Sequence, residues 1–190
     1  LDDSQVFDLI CSDLTKDLMF FNGLGVKEYI KSLKPDRFSE LVALFTLYFP
    51  GPLLNLPDYI KNKCLDIKYE TKVEENILKD TYGVIICRDQ MIDLINSISG
   101  IPRDEAYQIT MVLNKWEYPK KEEYKRLFIE EGARNGFFID YLERIWRKLE
   151  DSRYCRSKAH FVSYATTAYH CAWLKAHYPN EYTEAYSCYF

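Results

Sequence analysis

Met91-Ile92-Asp93-Leu94-Ile95-Asn96-Ser97-Ile98-Ser99-Gly100-Ile101-Pro102 decides the fold class. Met91, Leu94, Ile95 and Ile98 fall at i, i+3, i+4 and i+7, the spacing that gathers apolar side chains on one face of an α-helix. Gly100 closes that helix, and Pro102 can open another, where a missing N–H costs nothing. The same period continues downstream in Ala106, Ile109 and Leu113. It returns in Tyr124, Leu127 and Phe128, within a highly charged helix that Gly132 or Gly136 should close, and again in Leu142, Ile145, Trp146 and Leu149. The longest helix is predicted over residues 158 to 176, ended by Pro179, with a short terminal helix from Glu181. Upstream, residues 26–33 read as a helix that stops before Pro35. Asp36 can cap the next, which carries Phe38, Leu41, Val42 and Phe45 on one face towards Tyr48. Phe49-Pro50-Gly51-Pro52 forces a sharp break. Residues 64–80 read as a connection with a short helix in its second half. With no repeat, no low-complexity tract and no strand ladder, the expected fold is all-α, one helical domain over residues 1–190.

Composition narrows the class further. Apolar residues make up 47% of the 190, enough for a sizeable core and too many for a disordered tail. Seven Gly and seven Pro are too few for a turn-dense β-fold. Sixteen Tyr against three Trp suit a domain with wet faces, since Tyr buries a ring and keeps a polar tip. A net charge of -4 argues against a free-standing nucleic-acid binder but allows a basic face inside a larger acidic protein. The six Cys, at 11, 64, 87, 155, 171 and 188, have neither zinc-knuckle nor C-x-x-C spacing, and are read as reduced cytosolic thiols. No apolar run is long enough to span a membrane, and no signal-peptide pattern opens the chain. A start at Leu1-Asp2-Asp3 reads as a piece of something longer.

No phosphate-binding P-loop, H-E-x-x-H helix or G-x-S-x-G elbow is present. Paired carboxylates such as Glu122-Glu123 and Glu130-Glu131 read as solvated charge. His160, Ser163, Thr167, His170 and His177 fall near one line on the long helix, which suits either a partly exposed face or the wall of a ligand channel. Lys158 and His160 stand where that helix begins. A helix N-terminus presents unpaired N–H groups and partial positive charge, so these two side chains would deepen an anion site, with Tyr164 one turn on to stack on a base or sugar. Lys115, Lys120, Lys121, Lys125 and Arg126 form the densest basic stretch, either a solvated face or a surface for nucleic-acid phosphates.

Two segments add a resemblance. Leu33-Lys34-Pro35 with Ala43-Leu44-Phe45-Thr46-Leu47-Tyr48-Phe49-Pro50-Gly51-Pro52, and Trp173-Leu174-Lys175-Ala176-His177-Tyr178-Pro179-Asn180-Glu181-Tyr182, are similar to the alpha subunit of C-family bacterial DNA polymerases (DNA polymerase III alpha). That family's pattern reads L-K-P, A-L-Y-R-P-G-P and W-L-K-A-H-Y-P-x-E-F. Between them, Thr81-Tyr82-Gly83-Val84-Ile85-Ile86 with Gln90 resembles T-Y-G-I-I-V-Y-Q-E-Q. Gly132-Ala133 and Asn135-Gly136 resemble a G-A and N-G pair, and Ser157-Lys158-Ala159-His160 resembles N-K-S-H. The series runs in order over essentially the whole chain.

The resemblance implies a helical fingers domain beside a palm whose three aspartates hold two metal ions, magnesium being expected there. Those palm motifs precede the matched region, so this chain is expected to hold no cofactor and no catalytic carboxylates. The implied partners are dNTP, primer–template DNA, the remaining polymerase domains and replisome subunits, in the cytoplasm and with no membrane. Lys115 falls on the first lysine of an M-G-K-K segment, Lys158, His160 and Tyr164 on the N-K-S-H lysine, its histidine and the tyrosine after it, and Lys63 on a lysine after P-G-P. The departures are mostly lost cations or polar groups. F-Q-x-E-S is replaced at Met19-Phe20-Phe21-Asn22-Gly23, and the arginine before P-G-P is Phe49. The paired arginines before M-G-K-K are Thr110 and Met111, the second lysine is Trp116, and two glycines before N-K-S-H are Arg153 and Cys155. Three readings follow: a segment of an active polymerase, a catalytically inactive relative kept as a DNA-binding or structural module, and a helical protein-interaction domain.

Overall fold

The structure, a computed structural model, describes residues 1–21, 23–49 and 51–189. Asn22 and Pro50, which belong to two of the motifs above, lie outside the described residues. Eleven α-helices account for most of the described chain, with no strand among the described residues: α1 (Ser4–Cys11), α2 (Leu24–Leu33), α3 (Phe38–Leu47), α4 (Leu56–Lys63), α5 (Lys72–Leu78), α6 (Arg88–Ser99), α7 (Arg103–Lys115), α8 (Lys120–Arg134), α9 (Ile139–Asp151), α10 (Lys158–His177) and α11 (Pro179–Tyr189). Single 3-10 turns precede α4 (Pro52–Asn55) and follow α5 (Lys79–Thr81). The all-α expectation holds. The chain gathers into two compact units, one made of Leu1–Tyr48 with Ala159–Phe190, the other of Phe49–Lys158.

In the first unit, α3 corrects two expectations. Its N-cap is Arg37, not Asp36, and the buried Glu40 carboxylate reaches back to accept the Asp36 N–H at 2.9 Å. Nor does it bury one face only, since every residue from Glu40 to Leu47 is buried. A helix that is apolar all round belongs in a core. Against this core lie Phe21, whose ring is 5.6 Å from that of Phe45, and Tyr169 of α10, whose ring meets Phe7 of α1 and Phe38 of α3. The Tyr169 hydroxyl accepts the Asp3 N–H at 3.0 Å. Small residues on α10, Ala165, Ala168 and Ala172, are fully buried and let it pack closely. α1 was not legible from the sequence: three buried positions, Val6, Phe7 and Ile10, are too few to set a period.

The second unit is built on α5 to α9. Met91, Leu94, Ile95 and Ile98 of α6 are all fully buried, with Ala106, Ile109 and Leu113 of α7, Phe128 of α8 and Leu142, Ile145, Trp146 and Leu149 of α9. Gly100 ends α6 at φ 74°. Gly132 does not close α8. It lies inside the helix, buried against Leu142, and Gly136 at φ 92° follows the helix end. The Thr81-Tyr82-Gly83 to Gln90 motif is a locked turn. Gln90 Oε1 accepts from the N–H groups of Ile86 (2.9 Å) and Cys87 (3.3 Å), and its Nε2 donates to Thr81 Oγ1 at 2.8 Å. Tyr82 and Gly83 both take positive φ to make it. No disulfide joins the cysteines among the described residues. Burial pushes the Cys87 thiol up to about 11 and the Cys155 thiol up to about 12. No described helix is long and apolar enough to cross a membrane.

Candidate functional site

Lys158 is the first residue of α10 and is exposed. Its backbone N–H donates to Asp89 Oδ2 at 2.7 Å, so a carboxylate already occupies one of the donors that a helix start offers. Asp89 stands in the first turn of α6, and the Arg88 N–H donates to the Arg156 carbonyl at 2.9 Å. These two backbone contacts tie the start of α6 to the segment entering α10.

Lys115 ends α7, where the helix stops with Trp116 in left-handed conformation at φ 56°. Its ammonium is 3.5 Å from Glu117, which also lies 3.9 Å from Lys120. Lys121 differs from its neighbours. It is 4% exposed, its ammonium 2.7 Å from Glu150 and 4.0 and 4.6 Å from the ring centroids of Trp116 and Tyr118. Burial alone would lower its pKa, but the Glu150 carboxylate and the Tyr118 side chain together outweigh that and hold the ammonium protonated above the ordinary lysine range. Its charge is spent inside the unit, as part of the α8–α9 contact. Lys125 pairs with Glu143 across the same helix pair at 2.9 Å, and exposed Arg126 lies 3.9 Å from Glu130 one turn on. Lys63 ends α4 and is half-buried. The basic stretch is therefore largely a set of ion pairs, with Lys115, Lys120 and Arg126 nearest the solvent.

In the first unit, His160 and Tyr164 do come together, rings 4.8 Å apart and edge-on. Phe20 joins them, its ring 5.0 Å from Tyr164, and Phe20 and Tyr164 are 36% and 39% exposed. The result is a short row of accessible aromatic rings, two of them on α10, the kind of surface on which a base can stack. The sequence motif pointed to His160 and Tyr164 but not to Phe20, which takes φ 71° in an irregular segment.

A second feature was missed. A cavity of about 420 Å³ in the second unit is lined by Phe49, Arg88, Asn114, Tyr154 and Arg156. The Arg156 guanidinium lies 5.2 Å from the Phe49 ring, and Arg88 5.7 Å from Tyr107. Arg153 lies 4.6 Å from the Tyr154 ring and 5.0 Å from Trp116. Gly51 makes this corner possible: at φ 100° an added Cβ would stand 2.7 Å from Tyr154. The run of Arg153, Arg156 and Lys158 was the available signal. The Thr110 side chain, at a position where the resemblance puts an arginine, is only 1% exposed, and its hydroxyl donates to the Tyr107 carbonyl at 2.7 Å. Among the described residues, no three His, Cys, Asp or Glu side chains gather in a metal-holding group.

Residues 1–136 match the model of the family described as the bacterial DNA polymerase III alpha subunit finger domain. The chain is 33% identical over 187 residues to a DNA polymerase III subunit alpha of Aquifex aeolicus, covering 96% of this chain and 16% of that protein. It is 34% identical over 182 residues to a protein of the same name from Staphylococcus aureus, covering 94% of this chain and 17% of that one. The chain thus spans about a sixth of the length of the curated relatives it matches.

Proposed function

Because the chain belongs to the family of bacterial DNA polymerase III alpha subunit finger domains, we propose that it binds the incoming dNTP and primer–template DNA during template-directed nucleotidyl transfer. The metal-holding aspartates, with their magnesium, belong to a palm outside these residues, and the chain works with the remaining polymerase domains and replisome subunits in the cytoplasm. The observation that carries this reading is the ordered similarity across 96% of the chain, which includes Lys115, Lys158, His160 and Tyr164. The row formed by Phe20, Tyr164 and His160 supports it, being suited to a nucleobase. Lys115, Lys120 and Arg126 supply charge for the DNA backbone, with Lys63 and Lys125 further in and Lys121 holding the scaffold beneath them.

A second reading, a catalytically inactive relative kept for DNA binding, has one observation in its favour. Thr110 is packed inside its unit, so α7 is built around a small side chain where a phosphate-binding arginine would need room. A paired-aspartate motif in the full-length gene separates the two. The test of nucleic-acid function itself is the anisotropy of labelled primer–template DNA titrated with the chain across a salt series. Binding is expected to be weak, to fall steeply with salt as counterion release requires, and to weaken further in Lys115→Ala and Lys158→Ala chains. The chain alone should extend no primer. Absence of DNA binding at low salt would leave the chain a protein-interaction module and overturn the proposal.

A further inference from the structure

Arg88 and Arg156 differ from the ion-paired cations of this chain in lining one cavity together. Many of the lysines and arginines reach carboxylates: Lys31 to Asp13, Arg103 to Asp93, Lys125 to Glu143, Arg144 to Glu70, Lys148 to Glu74. In a chain with 29 acidic against 25 basic residues, such pairing is the expected state. Among the described residues, no carboxylate lies within ion-pair distance of Arg88 or Arg156, and none lines the cavity that they share. Asp89, the acidic neighbour of Arg88, has its carboxylate on the Lys158 N–H.

Both guanidinium groups lie near an aromatic ring, a contact that does not consume their N–H donors. A fork of this kind matches phosphate oxygens two at a time. Arg88 also opens α6, a helix of twelve residues whose start adds partial positive charge. The cavity, about 420 Å³, falls within the range of small-ligand sites, about 300–1,000 Å³.

We infer that the cavity lined by Phe49, Arg88, Asn114, Tyr154 and Arg156 takes the phosphate chain of a nucleoside triphosphate, with Arg88 and Arg156 as its cations. These two then supply charge that the chain lacks at Phe49, Thr110 and Met111, and phosphate binding is relocated rather than abandoned. The inference rests on the reading of the chain as nucleotide-binding, and concerns the side chains that do the binding.

The test is nuclear magnetic resonance of the 15N-labelled full chain, following arginine Nε–H signals. The titrants are sodium tripolyphosphate, dATP with magnesium, and a primer–template duplex. Tripolyphosphate and dATP are expected to shift the Arg88 and Arg156 signals saturably, leaving Arg126 unmoved. Affinity should fall about tenfold or more for each of Arg88→Gln and Arg156→Gln, the loss expected of a charge-assisted contact. An amide spectrum matching that of the unmodified chain shows that each variant is folded, and the shifts in the unmodified chain test the site without any variant. Unmoved Arg88 and Arg156 signals would overturn the inference. So would signals that respond to the duplex alone, which would assign the cavity to a DNA backbone phosphate. Binding of tripolyphosphate at both arginines without any binding of dATP would keep the pocket and remove the nucleotide reading. Binding of dATP that survives in the double Arg→Gln chain and is lost in Lys158→Ala would keep the nucleotide reading and remove the pocket.

Discussion

Lys121 carries a charge into the interior of its unit, and its surroundings show why that is tolerated. The Glu150 carboxylate at 2.7 Å balances the ammonium, and the Trp116 and Tyr118 rings meet it with the negative faces of their π-systems. Removing one partner of such a pair strands the other, at a cost of about 3–5 kcal/mol when both are fully buried. Glu150 retains some exposure, so Lys121→Met should lower stability by less, about 2 kcal/mol, measured by urea unfolding. The pH dependence has a fixed sign. The folded-state pKa of Lys121 lies above the ordinary value of 10.5, so its stabilisation is complete below about pH 10 and is lost as pH rises through the folded-state value. The stability difference between the unmodified chain and Lys121→Met should therefore hold steady from about pH 7 to about pH 9 and shrink in stronger alkali. A difference already gone near pH 9 would show that the ammonium is not held in this way.

At the scale of elements, the contact between α8 and α9 is set by a residue without a side chain. A Cβ at Gly132 would stand 2.5 Å from Leu142 Cδ2 and 3.1 Å from Cδ1, and Leu142 is fully buried. Alanine is the better helix former by about 1 kcal/mol. Overpacking a filled core costs about 1–3 kcal/mol. Gly132→Ala should therefore be destabilising on balance, by about 1 kcal/mol, with the loss seen in chemical unfolding; a more stable variant would mean that Leu142 can swing aside. The sequence offered Gly132 or Gly136 as the stop of α8, and it is Gly136 that follows the helix end while Gly132 serves packing; nothing local distinguishes a glycine needed for φ from one needed for close approach.

The whole molecule divides by where its chain closes a core. Residues 49–158 hold a continuous apolar cluster from Leu78 to Cys155. The other unit needs chain from both ends, since Phe7 and Phe38 pack on Tyr169. A fragment of residues 49–158 should accordingly be helical by circular dichroism and melt cooperatively, whereas residues 1–48 alone should stay largely unfolded. A fragment 49–158 without a cooperative transition would make its core dependent on the rest of the chain.

What the sequence by itself determined was the helical class, most of the helices and the family. Helical period is a local property, and ordered motifs survive as short strings even where single cations are exchanged. Met91 to Ile98 and Leu142 to Leu149 could be read directly because each stripe is apolar on one side alone. α3 was read as a helix but with a single buried face, because a helix buried on nearly all faces has no stripe to limit the reading, and α1 and α4 were too short to show one. Only the tertiary structure decided the state of the charges. Five cations in one stretch look alike in sequence, yet Lys121 is enclosed and paired while Lys115 meets solvent. Arg88 and Arg156, far apart in the chain, share one cavity without a carboxylate. Pairing depends on which helices pack side by side, and no spacing along the chain encodes a partner on another helix.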